Sequence, residues 1–325
     1  MSRAARSRAF ADYDGVSATA TALTAQLSEP LLVVRADASP GIGAGHAMRC
    51  LTLAEQWLEM GGRLKWWGNL DIPFARRRAD ALGIPIAAEA PEEGSLLLVD
   101  TYDLRERLRL AIGTGPARRV LVDDLGGDVP AGYDGVWNPN AYGHSGLYPN
   151  YAGEIIAGEE FVPIRRGLPR WTPMGGSAVS GALSFGGGDL PPHLHAAVSQ
   201  LPAVLALPHG LSVGSFAPPG WQKADPDDPW SSLRHAAWLI TAAGTTLLES
   251  AVVGIPVLVV VFADNHALAG EWARQKGSPV VDARNRSDPS ELARELASKL
   301  SSVRPLPALR PGSDAVARRL WSLMA

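Results

Sequence analysis

The sequence predicts an α/β protein made of two parallel-sheet units in tandem. Three observations point there. Strand-like apolar runs alternate with helix-compatible stretches, and such alternation implies parallel pairing through right-handed crossovers. The alternation stops at a Pro- and Gly-rich segment and then restarts. The chain has 325 residues, roughly twice a common domain of about 150.

In the first unit Leu31 to Arg35 (LLVVR) reads as a buried strand. The turn Pro40-Gly41-Ile42-Gly43-Ala44-Gly45 follows. His46 to Met60 then shows helical spacing through Met48, Leu51, Leu53, Ala54, Trp57 and Leu58, and Gly61-Gly62 stops it. Arg63 to Trp67, Leu96 to Asp100 and Val120 to Asp124 read as further strands, the last two ending in carboxylates, and Asp103 to Ile112 is helix-compatible. The pattern restarts with Ala182 to Phe185, Ala203 to Leu207 and Trp238 to Ala242 as strands, and with Pro256 to Phe262 as a strand buried on both faces. Ser287 to Ser302 and Ser313 to Ala325 have helical spacing. Arg166 to Ser180, with Pro169, Pro173 and Gly175-Gly176, makes the best linker. The expected organisation is a flexible tail over 1–30, a first Rossmann-like domain over 31–168, a second over 178–305, and a C-terminal helix within 306–325.

Composition narrows the function. Hydrophobic residues make up 46% and charged residues 19%, which suits a packed core and not a disordered chain. The net charge of −3 and the lack of a basic stripe argue against nucleic acid as a partner. Cys50 is the single cysteine, so an intrachain disulfide is excluded and a reducing, cytoplasmic setting fits. The longest apolar stretch, Ala251 to Ala263, is too short for a bilayer and is split at Gly254-Ile255-Pro256, so no membrane partner is expected. Met1 to Glu29 lacks the apolar core of a signal peptide. His193, His195, His209, His235 and His266 lack metal-ligand spacing, and P-loop and HExxH motifs are missing. Neither metal nor cofactor is expected.

The residues suited to chemistry fall at predicted strand ends. His46 opens a helix after a glycine turn. A helix N-terminus disfavours imidazolium, and neutral imidazole is the form a general base needs, although simple capping is the plain alternative. Asp100, Asp123 and Asp124 lie where open α/β sheets bind ligands, with Tyr102 close by. Asn138-Pro139-Asn140-Ala141-Tyr142 offers amides and a phenol for sugar hydroxyls, and equally reads as a turn. Gly186-Gly187-Gly188-Asp189 is a second strand-end glycine turn. Ala243-Gly244-Thr245-Thr246 leads into a helix whose N-terminal N–H groups favour an anion. Glu249, a turn later on the same side, can accept from both hydroxyls of a ribose. An N-capped helix is the alternative.

The run from Arg35 to Leu53, RADASPGIGAGHAMRCLTL, resembles the signature of the UDP-2,4-diacetamido-2,4,6-trideoxy-β-L-altropyranose hydrolases of pseudaminic acid biosynthesis and their spore-coat polysaccharide relatives. Asp100-Thr101-Tyr102, Asp123-Asp124, Asn138 to Tyr142, Gly187-Gly188-Asp189 and Ala243 to Glu249 follow in that family's order. The N-terminal tail and the many tryptophans depart from its pattern. The resemblance implies two Rossmann-like domains facing across a cleft, the glycosyltransferase-B fold, with UDP held by the C-terminal domain without a metal. It implies His46 as catalytic base, oriented by Asp37 or Asp100, with Tyr102 beside it. Arg35, Gly43, Gly45, Arg49, Asp124, Asn138, Asn140 and Tyr142 are then expected at the sugar. Gly187, Gly188, Asp189, Ala243, Gly244, Thr245, Thr246 and Glu249 are expected at the nucleotide. The expected reaction is hydrolysis of a UDP-sugar at its anomeric C–O bond with inversion. The alternatives are inverting glycosyl transfer to a small non-water acceptor and a non-catalytic nucleotide-sugar-binding module.

Overall fold

A computed structural model describes residues 29–87, 95–112, 118–173, 181–186, 189–207, 209–214 and 216–324. The expected tail, apart from its last two residues, lies outside the described residues, as do Gly187, Gly188 and the 174–180 end of the expected linker.

The first sheet contains β1 (Leu31–Ala36), β2 (Arg63–Trp67), β3 (Leu96–Asp100), β4 (Arg118–Val122), β5 (Gly135–Asn138) and β6 (Glu154–Ala157). Its order is β2-β1-β3-β4-β5-β6, and every pair is parallel. The helices α1 (Gly45–Glu59), α2 (Pro73–Ala81) and α3 (Leu104–Ile112) carry the early crossovers. Side chains alternate across β1. Leu32, Val34 and Ala36 join the core that includes Leu51, Leu53 and Trp57 of α1, whereas Leu31 and Val33 pack with Leu110 and Ala111 of α3.

The second sheet contains β7 (Ala182–Ser184), β8 (Leu211–Val213), β9 (Gln222–Lys223), β10 (Leu239–Ala242), β11 (Val257–Val261) and β12 (Val280–Asp282). It is also parallel throughout, in the order β12-β11-β10-β7-β8-β9. Its helices are α4 (Pro192–Val204), the short α5 (Trp230–Leu233), α6 (Thr245–Val253), α7 (Ala267–Gln275) and α8 (Pro289–Lys299). Every residue of β11 is buried, as its unbroken Val/Leu run requires. The strand expected at Ala203 to Leu207 is instead the end of α4 and the turn after it. Leu194, Ala197, Val198 and Leu201 bury one stripe of that helix, and a short apolar run does not by itself separate a helix end from a strand. The strand is β8, a few residues later.

Each sheet reverses its winding at one place, between β1 and β3 in the first and between β7 and β10 in the second. Ligands of open α/β sheets bind at such switch points, beyond the carboxyl ends of the strands. The reversals bring the turn after β1 beside the end of β3, where Ala36 pairs with Asp100, and the turn after β7 beside the end of β10, where Ser184 pairs with Thr241. A third core joins Ala141, Val162 and Ile164, from the segments before β7, to Ala243, Leu247 and Leu248 around α6. The C-terminal helix α9 (Ser313–Ser322) returns to the first sheet, where Val316, Ala317 and Leu320 enter its core and Trp321 packs 5.0 Å, centroid to centroid, from Trp57. Among the described residues no helix is long and apolar enough to cross a membrane.

Leu320 is fully buried where α9 meets α1. Leu320→Ala is expected to lower the unfolding free energy by about 2–5 kcal/mol, the range for a buried Leu truncation, measured by urea denaturation.

Candidate active site

The two switch points open into one cavity of about 560 Å³. One wall comes from the first sheet, with Gly43, Gly45, His46, Arg49, Tyr102, Asp124, Asn140 and Tyr142. The other comes from the second, with Ser184, Asp189, Ala243, Gly244, Thr245, Thr246, Glu249 and His266.

The first wall is built around a buried carboxylate. The turn after β1 is closed by the Gly43 N–H donating to the Ser39 carbonyl at 2.7 Å, with Gly43 at φ 84°, a conformation that favours glycine. This turn starts α1 at Gly45, and His46 lies on its first turn, facing the end of β3. There the His46 Nδ1 lies 2.5 Å from Asp100 Oδ1. Arg49, one turn further along α1, donates from Nε to Asp100 Oδ2 at 2.6 Å and from Nη2 to Oδ1 at 2.5 Å. The Cys50 thiol reaches Oδ2 at 3.4 Å. Burial favours the neutral form of Asp100, but the charge of Arg49 and the hydrogen bonds of Arg49 and His46 outweigh it and hold the carboxyl far below its usual range. Burial pushes the Cys50 thiol up, and the Asp100 charge adds to this, so Cys50 stays a donor.

An ionised Asp100 accepts only, so the short Nδ1 contact needs the ring proton on Nδ1. Arg49 Nη2 also lies 3.0 Å from Nδ1, but its closer partner is the carboxylate. In the neutral ring the lone pair is then on Nε2. The Tyr102 ring stands edge-on to the imidazole, centroids 4.6 Å apart. Its hydroxyl donates to Asp124, which also accepts from Arg49 Nη1 at 2.7 Å and Asn140 Nδ2 at 2.9 Å. Burial raises the Tyr102 hydroxyl, with help from the Asp124 charge, so it remains a phenol. Asp123 instead fixes the loop after β4, accepting from the Leu125 and Gly126 N–H groups and from Arg107.

Apart from Asp100, which lies behind His46, three of the described expected residues sit off the cavity. Arg35 and Asp37 continue the β1 alternation on the α3 side. Arg35 there donates to Glu106 at 2.8 Å and pairs with Asp37 at 2.8 Å, and Asp37 accepts from the Asn69 N–H at 2.8 Å. The position that orients His46 is therefore Asp100, and the expectation that Asp37 does so, or that Arg35 meets the sugar, does not fit this geometry. Asn138 is fully buried and accepts from the Asn140 N–H at 3.1 Å, so it supports Asn140 from behind.

On the second wall α6 begins at Thr245, with Gly244 as N-cap and no side chain capping it. Its first N–H groups and the Thr245 and Thr246 hydroxyls form an anion-favouring terminus. Glu249 lies one turn along. Its Oε1 accepts from Arg165 Nε at 2.7 Å, and its Oε2 from Arg165 Nη2 at 3.2 Å and Trp230 Nε1 at 2.6 Å.

Arg165, Trp230, Asn265 and His266 line the cavity although no sequence motif singles them out. Asn265 and His266 follow β11 at its carboxyl end, so the strand-end rule could have flagged them. Asn265 Nδ2 donates to the Tyr102 hydroxyl at 3.4 Å, a contact between the two walls. His266 Nδ1 is buried without a hydrogen-bond partner among the described residues. Burial lowers the His266 imidazole to about 4, only partly opposed by the Asp124 charge.

No protein-family model matches the sequence, and no curated relative does. Solved structures do. The glycosyltransferase of kitacinnamycin superposes with TM-score 0.55 at 14% identity, over 91% of this chain and 94% of that one. The calicheamicin glycosyltransferase CalG4 gives 0.52 at 15%, over 91% and 94%. A Streptomyces glycosyltransferase complexed with thymidine diphosphate gives 0.50 at 15%, over 90% and 100%. At such identities the likeness establishes the fold: two Rossmann-like domains facing across a cleft, the glycosyltransferase-B arrangement, with a C-terminal helix.

The shifts at Asp100 and His266 have consequences for stability. A carboxyl held below its ordinary value stabilises the fold fully above the unfolded value near ~4 and loses that contribution as pH falls below it. Asp100→Asn is therefore expected to cost about 3–5 kcal/mol at neutral pH, as when a buried ion pair is broken, with the gap to wild type narrowing below pH ~4 in denaturant melts. For His266 the depressed value means the unfolded state binds more protons below ~6.5, so stability falls as pH drops from there towards 4. Its NMR resonances are expected to stay at their neutral positions from pH 8 down to about 5.

Proposed function

We propose that this chain transfers the glycosyl group of a nucleoside-diphosphate sugar, with inversion, to a small acceptor other than water, using His46 as general base. The observation that carries this reading is the pairing, across one cavity, of the Asp100-oriented His46 with the uncapped N-terminus of α6. A base and an anion-favouring helix end on opposite walls suit in-line displacement at an anomeric carbon lying between them.

In this mechanism His46 Nε2 takes the acceptor proton as the acceptor oxygen or nitrogen bonds to the anomeric carbon. The bond from that carbon to the phosphate oxygen breaks, and its electron pair leaves on the nucleoside diphosphate. Asp100 keeps the ring in the productive tautomer and stabilises the imidazolium that forms, the role a buried carboxylate plays behind a histidine base. The N–H groups of Thr245 and Thr246 meet the charge growing on the diphosphate, where preorganised donors contribute most. Asp124 and Asn140, tied into the same network, are suited to sugar or acceptor hydroxyls.

The solved neighbours carry the name glycosyltransferase, and one was crystallised with thymidine diphosphate, which supports transfer over hydrolysis. The Arg35 to Leu53 signature favours the second reading, in which the acceptor is water and the product a free sugar. Both use the same base and leaving-group site.

Nucleoside diphosphate release, measured with UDP- and TDP-sugars with and without added acceptors, separates them. Acceptor-dependent release is expected; full release in plain buffer selects hydrolysis. His46→Ala is expected to slow turnover by about 10²–10⁴, the usual contribution of a general base, and near-normal turnover in that variant would remove His46 from the role.

A further inference from the structure

We infer that the ion pair between Arg77 and Asp227 is a latch at the rim of the cavity, and that it sets how fast a nucleoside diphosphate enters and leaves. This rests on the donor site proposed above. Arg77 lies on α2 and Asp227 on the loop between β9 and α5, so the pair joins the two walls. Arg77 Nε donates to Asp227 Oδ2 at 3.1 Å, and Nη2 donates to Oδ1 at 3.0 Å and to Oδ2 at 2.7 Å. The neighbouring residues place the pair at the rim. Phe74, one turn before Arg77, lines the cavity, as do Pro226, Pro229 and Trp230 around Asp227. The paired side chains themselves are 55% and 48% exposed.

Both ends stand on firm supports. Ala75 and Ala79 bury the inner face of α2 in the first core. The Asp227 N–H donates to Asp225 Oδ1 at 2.9 Å, Pro226 and Pro229 restrict the loop, and Trp230 and Leu233 pack α5 onto the second sheet. Of three successive arginines, Arg76 pairs with Asp80 within α2, Arg78 pairs with Glu55 of α1, and Arg77 crosses to the other wall. The walls are also joined by the apolar core of Val162, Ile164, Leu247 and Leu248, which cannot part without exposing its surface to water. An exposed ion pair is a weak tie by comparison, since water and salt compete for both charges. The core therefore acts as the hinge, and the Arg77–Asp227 side is the one that parts. The latch is closed in this structure, and the nucleotide exchanges when it opens.

Stopped-flow tryptophan fluorescence of the full chain with UDP tests this, with Trp230 on the cavity wall as reporter. Arg77→Gln and Asp227→Asn each remove the pair. Each is expected to raise the entry and exit rates together by about two- to fivefold, the range an exposed ion pair supports, with Kd within about twofold of wild type. Local charge alone would act differently: loss of the arginine would slow entry of the anionic nucleotide, and loss of the aspartate would speed it. Such opposite shifts, or unchanged rates in both variants, overturn the latch while leaving the donor site standing. A faster exit alone, with weaker binding, does the same. A chain carrying both Arg77→Cys and Asp227→Cys can be joined there by a short bis-maleimide, because the one natural cysteine, Cys50, is fully buried. Joining is expected to stop UDP exchange, and exchange at the unjoined rate overturns the latch. Failure of UDP and TDP alike to bind overturns the donor site and the inference together.

Discussion

The buried ion pair between Asp100 and Arg49 is the constraint on which the first wall of the cavity depends. Asp100 is 2% exposed at the end of a central strand, and a lone carboxylate there would be neutral or the strand end displaced. Arg49 keeps it ionised, and the ionised form is what fixes the His46 proton on Nδ1. The same guanidinium reaches Asp124, which in turn gathers Tyr102 and Asn140. One cation on one helix thus orders residues from three strand ends. Partly satisfied networks of this kind are costly, so its members stand or fall together.

The second wall follows a similar logic with different chemistry. Glu249, on the second turn of α6, is neutralised by an arginine from the segment before β7 and bonded by an indole from α5. Each wall therefore contains a buried carboxylate whose direction an arginine holds. At the carboxylate near the proposed reacting centre the remaining capacity goes to a histidine. The fold brings the two together because each sheet reverses its winding once and the two reversals face the same gap.

The likeness in fold to the kitacinnamycin and calicheamicin glycosyltransferases and the resemblance of the Arg35 to Leu53 run to sugar-nucleotide hydrolases are compatible. The proposed transfer and its hydrolytic alternative would break the same bond, and they differ in what stands in front of His46. A scaffold fixes where a donor lies far better than it fixes the acceptor.

By itself the sequence determined the α/β class, the two-unit organisation, the strand-end positions of His46, Asp100 and Asp124, and the small-residue turn at Gly244-Thr245-Thr246. These follow from local periodicity and turn chemistry, which act over a few neighbouring residues. It misled at Ala203 to Leu207, where an apolar run has no period long enough to tell helix from strand. Tertiary structure alone decided that Arg35 and Asp37 turn to the α3 face, that Asp100 and not Asp37 orients His46, and that Asp123 fixes a loop while Asp124 meets the cavity. It also brought in Arg165, Trp230 and His266, and returned α9 to the first sheet. The physical reason is that a side chain's partner is chosen by strand order and sheet face, and residues far apart in the chain, such as Arg165 and Glu249, meet only once both sheets have formed.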